Sequence, residues 1–465
     1  MTIPAFAVVG HPNKGKSSLV ATLSQDDSVQ ISMVPGTTTK ARVFPMKVDD
    51  EVLYQLIDTP GFQRAHKALN WLKERETDIH LRANVVREFV ATFKDSDLFI
   101  EECELLTPIL DGAGILYVVD GSRPYGSEFE AEMEILRWTG QPCMALINLI
   151  SEGDYVDQWK KALSQFFQIV RVFNAVSADF EKHVELLKAF GQLNEQWRKP
   201  LEKAVTYILK DRAERQEQSA RLIAEMIDQC INLKLSKKLP EDEQASHYEV
   251  DLKTDYFNQL ILKEERCRKT IEKLYHYHNI DRHESNFMVL EDNLFSQQSW
   301  SVFGLSQQEL LMTGLAGGAA MGAVVDIAVG GASLLLGAGI GALIGGVGAM
   351  ISYDKLANID IMGLPLGGKA LQIGPMKNRN FPYVLLGRAL LHHRLIENRT
   401  HAMRNELKIA DDQGNTGASR ISSELRKELE VNFTKLRDLD RGSSVIDELS
   451  KTIVLCMNQT DKAQF

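Results

Sequence analysis

One short segment near the N-terminus constrains the fold of this chain more than any other. Residues 10–17 have the sequence GHPNKGKS, which fits the pattern GxxxxGKS. The apolar run FAVV precedes the segment and the helix-forming run SSLVATL follows it, as this pattern requires. The two glycines let the backbone curl with its N–H groups inward, and the following helix adds its positive N-terminal end. The sequence therefore predicts a strand, a phosphate-binding loop and a helix.

Side chains of this segment are expected to contact the phosphates of a nucleotide. Lys16 places a positive charge beside the β- and γ-phosphates, and the Ser17 hydroxyl can ligate Mg²⁺. The expected nucleotide-binding residues of the loop are Gly10, Asn13, Lys14, Gly15, Lys16, Ser17 and Ser18. The sequence therefore predicts Mg²⁺-dependent binding of a nucleoside triphosphate.

Two further motifs follow in the order that such a site requires. The apolar run VLYQLI ends in the motif Asp58-Thr59-Pro60-Gly61. Asp58 can hold Mg²⁺ through water, and the Gly61 N–H can reach the γ-phosphate. Between the two motifs, residues 35–39 (PGTTT) form a threonine run that can close over Mg²⁺ in the triphosphate state. We therefore expect both segments to respond to the γ-phosphate.

Short apolar runs alternate with amphipathic segments over residues 1 to about 190. This pattern is typical of an α/β domain with a mainly parallel sheet. The turn at residues 49–51 predicts that the second and third strands form a hairpin. The polar stretch at about 63–112 predicts a helical insertion, and the alternative is an ordinary crossover helix with a long approach. The expected strands are Phe6–Val9, Ala41–Val48, Val52–Asp58, Gly114–Val119 and Cys143–Asn148.

The motifs GHPNKGKSSL, PGTTT and DTPGF together resemble those of the translation-factor-related GTPases of the Era and MnmE type. The resemblance covers about residues 1–190 and implies an α/β Ras-like P-loop GTPase domain that hydrolyses GTP slowly. It also implies guanine nucleotide and Mg²⁺ as cofactors, and a nucleotide-dependent dimer. The catalytic residues that it implies are Lys16, Thr38 and Gly61, and the Mg²⁺ ligands are Ser17, Thr38 and Asp58.

By this resemblance, two residues of the chain occupy positions that affect the attacking water and the charge of the transition state. Phe62 stands where Ras-like enzymes keep a catalytic glutamine, as a hydrophobic residue does in Era-like GTPases. Asn13 stands where several members hold K⁺, an ion that takes the place of an arginine finger. We therefore expect K⁺ as a further cofactor. The alternative is that Asn13 is only a turn residue after Pro12.

The segment expected to recognise the base departs from the family pattern Asn-Lys-x-Asp. Residues 148–151 are NLIS, so Asn148 is in place while Ser151 replaces the aspartate. A serine cannot make the paired, charged contact with guanine, which weakens discrimination. Asp154 could substitute only after rearrangement of the loop, and Ser177 with Ala178 fits the second base-holding loop. GTP is the expected nucleotide, and ATP or relaxed specificity is the alternative.

Composition limits the class of protein and its compartment. The 465 residues suggest two to four domains, and 53 Lys and Arg against 63 Asp and Glu give a net charge of −10. This acidic balance disfavours nucleic acid as a partner. The five cysteines have no paired spacing, which suits a reducing cytoplasm, and the N-terminus predicts no signal peptide. The histidines at 276, 278, 283, 392, 393 and 401 lack metal-binding spacing and are expected on exposed helix faces.

A glycine-rich segment interrupts the otherwise helical C-terminal half. Residues 311–351 contain 12 of the 32 glycines and a single charge, Asp326. Glycines recur every four residues, which allows close helix packing, although so many glycines make a poor helix in water. We expect an apolar helical hairpin that inserts into a membrane. The alternative is a hairpin buried within the C-terminal region.

The pattern along the whole chain predicts an α/β domain followed by a mainly α-helical region. Apolar stripes at helical spacing predict long antiparallel helices at about 197–235 and 254–280, joined by a polar loop at 237–249. A strand-loop patch is expected at 359–373, with helices at about 383–399 and 418–437. The expected domains are a GTPase domain at 1–192, a helical region at 193–305, the hairpin at 306–353 and a mixed, mostly helical region at 354–465.

The complete layout resembles a bacterial GTPase family whose C-terminal region is a domain of unknown function. It suggests a nucleotide-switched protein that acts at a membrane or on a membrane-protein partner. Such a protein would be cytoplasmic, and either peripheral or inserted by its hairpin at the inner membrane. The alternative is a soluble assembly GTPase that associates with ribosomes or tRNA.

Overall fold

The computed structural model divides the chain into two compact units that separate between Asp211 and Arg212, and the described residue Asn398 also belongs to the first unit. The structure describes residues 3–12, 14–24, 40–48, 51–76, 78–151, 153–173, 180–239, 246–275, 294–306, 309–310, 312–313, 352–355, 360–361, 364–365, 369–398, 420–438 and 444–462.

The first unit contains a six-stranded sheet with the order β2-β3-β1-β4-β5-β6. All neighbouring strands are parallel except β2 and β3, which form the expected antiparallel hairpin. The mainly parallel sheet predicted from the sequence is therefore confirmed, with one further strand, β6. The strands are β1 Ala5–Val9, β2 Arg42–Val48, β3 Glu51–Asp58, β4 Gly114–Asp120, β5 Cys143–Asn148 and β6 Ile169–Val172.

Helices cover both faces of this sheet. Between β3 and β4, where the sequence predicts a helical insertion, the described residues form three α-helices and a short 3-10 helix at Ile79–Leu81. The helices are α1 Lys16–Ser24, α2 Ala65–Glu74, α3 Arg82–Phe93, α4 Ile100–Leu110, α5 Glu128–Trp138, α6 Val156–Leu163, α7 Phe180–Leu193 and α8 Glu195–Ile231. The boundary between the two units lies within α8.

The sheet is buried because successive side chains of its central strands enter two separate cores. In β4 every residue is buried. Ile115 and Tyr117 pack into one hydrophobic cluster, whereas Leu116 and Val118 pack into the cluster on the opposite face. Alternating side chains point to opposite faces of a strand, so a strand buried on both faces is apolar throughout. The run GILYVV in the sequence reflects this two-sided burial.

The second unit combines helices with a three-stranded antiparallel sheet of order β7-β11-β8. The predicted polar loop at 237–249 is wrong at both ends, since β7 extends to Leu239 and α9 begins at Ser246. The strands are β7 Leu235–Leu239, β8 Ser352–Lys355, β9 Asp360–Ile361, β10 Leu364–Pro365 and β11 Lys369–Ile373. The helices are α9 Ser246–Leu274, α10 Gln297–Phe303, α11 Phe381–Glu397, α12 Ser423–Arg437 and α13 Ser444–Lys462.

Helix α11 runs through the core of the second unit and corrects one expectation. His392 and His393 were expected on an exposed helix face, but each is only 1% exposed. Tyr275 and His393 lie 3.0 Å apart, and His392 lies 3.1 Å from Glu272. Burial lowers the pKa of His393 to about 4, so this imidazole is neutral at physiological pH. The other four histidines lie outside the described residues.

The glycine-rich segment contributes almost nothing to the described structure. Of residues 311–351, only Met312 and Thr313 are described, so the predicted hairpin lies outside the described residues. Within the part of the chain that is described, no helix has both the length and the apolar character needed to cross a bilayer.

Candidate nucleotide site

The phosphate loop leaves β1 through backbone conformations that only glycine adopts easily. Gly10 has φ of +141° and Gly15 has φ of +81°. A Cβ atom at Gly10 would lie 2.4 Å from the carbonyl oxygen of Val118 in β4. A side chain there would therefore clash with the neighbouring strand as well as strain the backbone. The positive φ at both positions, and the lack of space for a side chain at Gly10, explain why the sequence has glycine at each.

Lys16 opens α1 and reaches back across the loop. Its Nζ donates hydrogen bonds to the carbonyl oxygens of Gly10, at 3.2 Å, and His11, at 3.1 Å. Burial lowers the pKa of Lys16 to about 8, while the charge of Asp58 opposes that shift. The ammonium group is thus held by backbone carbonyls in a poorly hydrated place, where phosphate oxygens would bind it strongly.

Ser17 and Asp58 meet where the first motif faces the second. The Ser17 hydroxyl donates a hydrogen bond of 2.9 Å to Oδ2 of Asp58, which lies at the end of β3. Thr59 donates from its hydroxyl to the Val8 carbonyl at 2.7 Å and so ties the second motif to β1. A hydroxyl and a carboxylate at one point form an oxygen donor set of the kind Mg²⁺ prefers. The described residues therefore fit the expected metal ion.

Gly61 brings the second motif against the phosphate loop. A Cβ atom at this position would lie 2.7 Å from the backbone nitrogen of Pro12 and 3.0 Å from the carbonyl oxygen of Gly10. Only glycine permits so close an approach of the two backbones. The next residue, Phe62, is 1% exposed and packs in a hydrophobic cluster. Its ring therefore belongs to the core and cannot orient an attacking water.

Asn148 at the end of β5 lies against the phosphate loop. Its Nδ2 donates to the Lys14 carbonyl at 3.3 Å, and a Cβ atom at Gly15 would lie 2.2 Å from the same nitrogen. The amides of Ile150 and Ser151 donate to the hydroxyl of Ser122. The segment NLIS is thus fixed to the loop that follows β4.

Asp154, the residue considered as a substitute for the missing aspartate of the base-recognition motif, lies exposed just before α6. Its carboxylate accepts a hydrogen bond of 3.2 Å from the Val156 amide at the start of α6. Four predicted site residues, Asn13, Thr38, Ser177 and Ala178, lie outside the described residues. Ser18 is described and half-buried in the first turn of α1.

Lys14 contacts a residue that the sequence analysis did not identify. Its Nζ lies 3.8 Å from Oδ2 of Asp120 at the end of β4. Burial lowers the pKa of Lys14, and the charge of Asp120 opposes that shift. Asp120 also accepts from the Ser122 hydroxyl at 2.5 Å, so one carboxylate organises both the phosphate loop and the loop after β4. The sequence signal that could have identified Asp120 as a site residue is its place at the carboxyl end of a predicted parallel strand.

Glu132 is a second residue that sequence analysis missed. It is 1% exposed on α5 and accepts from the Tyr117 hydroxyl at 2.8 Å. Its other carboxylate oxygen lies 2.9 Å from Nδ1 of His11 in the phosphate loop. The only sequence signal was an acidic residue between Phe129 and Met133 on the apolar face of a helix.

The sheet order, the curled glycine loop and the Lys16, Ser17 and Asp58 constellation define a P-loop GTPase domain. In agreement, residues 5–148 match the family model described as "50S ribosome-binding GTPase". Residues 160–452, more than half of the chain, match the model described as "Domain of unknown function (DUF3482)". The chain therefore belongs to the DUF3482 family, with a GTPase domain at its N-terminal end.

Curated relatives are similar to the GTPase part of the chain. GTPase Der of Mycoplasma pneumoniae is 27% identical over 210 residues, which cover 44% of this chain and 41% of that protein. GTPase Der of Agathobacter rectalis is 44% identical over 64 residues, which cover 14% of each protein. The chain thus spans less than half of the length of these relatives.

Solved structures show similarity at low sequence identity. Era of Aquifex aeolicus bound to GDP.AlF4- is 14% identical, with a TM-score of 0.29 over 59% of this chain and 90% of that chain. NFeoB of S. thermophilus bound to GDP.AlF4- is 18% identical, with a TM-score of 0.25 over 59% of this chain and 89% of that chain. TM-scores this low do not bear on function.

Proposed function

We propose that this protein is a Mg²⁺-dependent switch that hydrolyses GTP to GDP and phosphate. The hydrogen bond between Ser17 and Asp58, beside the buried ammonium of Lys16, is the observation that carries the proposal. Lys16 would neutralise the β- and γ-phosphates, and Ser17 and Asp58 would hold Mg²⁺ directly and through water. The metal ion supplies charge stabilisation to the leaving phosphate when it is bound. Gly61 would offer its amide to the γ-phosphate.

Hydrolysis should be slow in the isolated protein. Phe62 is buried, so the position that carries glutamine in Ras-like enzymes offers no polar group to the attacking water. We propose that K⁺ held by Asn13 supplies the missing positive charge in the transition state and that Thr38 closes over Mg²⁺. Hydrolysis should therefore be faster in KCl than in NaCl at equal ionic strength. Equal rates in the two salts would exclude the role of K⁺.

The base site should discriminate guanine weakly. Ser151 provides a neutral hydroxyl where the family pattern has a carboxylate, and Asp154 is engaged at the start of α6. Ser177 and Ala178 would form the second wall of this site. We propose GTP as the preferred nucleotide, with relaxed selection against ATP.

The test of this function is a comparison of nucleotide binding and hydrolysis in two lysine variants. Lys16→Ala removes the cation in the loop and should abolish triphosphate binding and phosphate release. The matched control is Lys161→Ala, whose side chain is exposed on α6 and should leave both unchanged. Wild-type affinity in Lys16→Ala would overturn the assignment.

We further propose that the switch acts at a membrane or on a membrane-protein partner. The support is residues 311–351, where 41 residues carry one charge, because such a stretch must be covered by protein or enter lipid. Flotation with liposomes should detect binding that the double variant Gly337→Glu and Gly341→Glu removes. A protein that floats with neither GDP nor a GTP analogue would exclude this location.

A second candidate is a ribosome-associated assembly GTPase. The description of the family that residues 5–148 match, "50S ribosome-binding GTPase", favours it. Co-sedimentation with 50S subunits, compared between GDP and a GTP analogue, distinguishes this candidate from the membrane. Size-exclusion chromatography of the same samples tests the proposed nucleotide-dependent dimer.

A further inference from the structure

Helix α4, in the segment between β3 and β4, supports the backbone directly after the second nucleotide motif. Oε1 of Glu102 accepts hydrogen bonds from the amides of Gln63, at 2.9 Å, and Arg64, at 2.5 Å. Glu102 is 0% exposed. Gln63 is two residues beyond Gly61, whose backbone lies against the phosphate loop. One buried carboxylate therefore holds the chain that carries Gly61.

The two amides need such an acceptor because they precede a helix. Helix α2 begins at Ala65, and its N-cap residue, Arg64, makes no side-chain capping bond. Amides at a helix N-terminus have no acceptor within the helix. Glu102 supplies that acceptor from a distant part of the chain, with the negative charge that the helix dipole favours.

The environment of Glu102 makes the interaction costly to break. Its neighbours Cys103, Leu105 and Leu106 belong to the hydrophobic cluster of this face of the sheet. Among the described residues, its second oxygen, Oε2, has no hydrogen-bond partner. The guanidinium of Arg64 donates to the Leu98 carbonyl instead. If the segment at 63–64 moved away, a buried carboxylate would lose these two amide donors, which carries a large desolvation cost.

The same helix also contacts the residue that directly precedes β2, after the threonine run. Oε2 of Glu104 accepts a hydrogen bond of 3.2 Å from the Ala41 amide, three residues after Thr38. Helix α4 therefore fixes the described backbone that follows each of the two segments expected to respond to the γ-phosphate.

We propose that Glu102 is a positioning residue for GTP hydrolysis, which holds residues 63–64 so that the Gly61 amide faces the γ-phosphate. The inference rests on the proposed GTPase function. Glu102 acts through the backbone and contacts no substrate atom. Because GDP lacks the γ-phosphate, the residue affects GTP analogues and turnover and leaves GDP binding unchanged.

The experiment compares Glu102→Ala and Glu102→Gln with the wild type in steady-state hydrolysis. Glu102→Ala removes the acceptor and should lower kcat about tenfold, while Glu102→Gln keeps a neutral acceptor and should lower it about threefold. GDP affinity should stay within about twofold, while the affinity for a GTP analogue should fall and the KM for GTP should rise in parallel. Glu101→Gln removes a neighbouring charge on the same helix and should match the wild type.

Hydrogen–deuterium exchange of the nucleotide-free protein provides a second readout that does not need turnover. The amides of residues 63–64 should be protected in the wild type and should exchange faster in Glu102→Gln. Unprotected amides in the wild type, or an unchanged kcat in folded Glu102→Gln, would overturn the inference. Equal losses of GDP and GTP-analogue affinity would show a merely structural role. If these amides are protected but the protein hydrolyses no GTP, the proposed GTPase function is contradicted, whereas the contact between Glu102 and residues 63–64 is not.

Discussion

The Ser17 hydroxyl donates a 2.9 Å hydrogen bond to Oδ2 of Asp58, across 41 residues of sequence. The contact exists because β1 and β3 are parallel neighbours in which Val8 pairs with Asp58. Parallel strands present their carboxyl ends at the same edge of a sheet, so the loop after β1 and the end of β3 converge there. This convergence is the centre of the proposed Mg²⁺ and phosphate site.

The first prediction concerns this pair. Ser17→Ala removes the hydroxyl ligand and should weaken GTP binding at least about tenfold in Mg²⁺ buffers. In EDTA the variant and the wild type should bind alike, because the lost interaction runs through the metal. Titration calorimetry with and without Mg²⁺ measures both affinities, and Ser164→Ala on the exposed surface is the control. An equal loss in EDTA would contradict a metal role for Ser17.

The second prediction follows from the pKa of Lys16, which burial lowers to about 8. Phosphate binding favours the charged lysine, so the nucleotide-free protein must take up a proton at this group above pH 8. Affinity should be constant between pH 7 and about 7.5 and then fall, approaching about tenfold per pH unit. Calorimetry in buffers of different ionisation enthalpy should detect the proton uptake. A flat affinity up to pH 9.5 would contradict it.

The third prediction links Glu132 to that titration. The negative charges of Asp58 and Glu132 both raise the pKa of Lys16 against the larger effect of burial. Glu132→Gln should therefore lower the pKa of Lys16 further, so that affinity begins to fall at a lower pH. Glu130→Gln, on the exposed side of the same helix, should leave the pH profile unchanged. Coincident profiles for Glu132→Gln and the wild type would refute the coupling.

The fourth prediction concerns base specificity. Ser151→Asp restores the carboxylate of the family pattern and should tighten GTP relative to ATP and XTP. The wild type should discriminate against ATP by less than the roughly 10⁴-fold of sites that bind their ligand through buried polar groups. Competition of the three nucleotides against a fluorescent GDP analogue measures this. A wild type that already rejects ATP by that factor must use another residue to recognise the base.

The fifth prediction concerns the second unit, where Arg388 donates to Glu264 at 2.7 Å with both side chains buried. Burial opposes ionisation of Glu264, yet the charges of Arg268 and Arg388 outweigh it and lower its pKa. Glu264→Gln removes the buried charge that Arg268 and Arg388 share and should cost about 3 kcal/mol of unfolding free energy. Urea denaturation followed by far-ultraviolet circular dichroism measures the loss. Glu265→Gln, the adjacent carboxylate, should be nearly neutral.

Much of the first unit was predictable because its signals are local. The strands from β1 to β5 follow from short apolar runs, and the phosphate loop follows from two glycines between a strand and a helix. β6 was missed because Ile169–Val172 is short and only partly buried. A strand at the edge of a sheet lacks the continuous apolar run that identifies central strands.

The second unit was harder to predict from the same kind of evidence. Its helices α11 and α12 were expected from their spacing, whereas β7 was mistaken for a loop because LSKKL carries two lysines. The strand pairs with β11, more than a hundred residues later. His392 and His393 were expected to be exposed, since the sequence does not show that α11 is surrounded by other elements.

The sequence by itself determined the phosphate loop, the order of the motifs and the alternation of strands and helices, because each depends on residues close together in the chain. Only the tertiary structure revealed that Glu102 holds residues 63–64 and that Glu132 faces His11. A buried carboxylate is stable only where distant backbone amides or polar side chains meet it. Those donors come from other elements, and their meeting is decided by how the helices pack on the sheet.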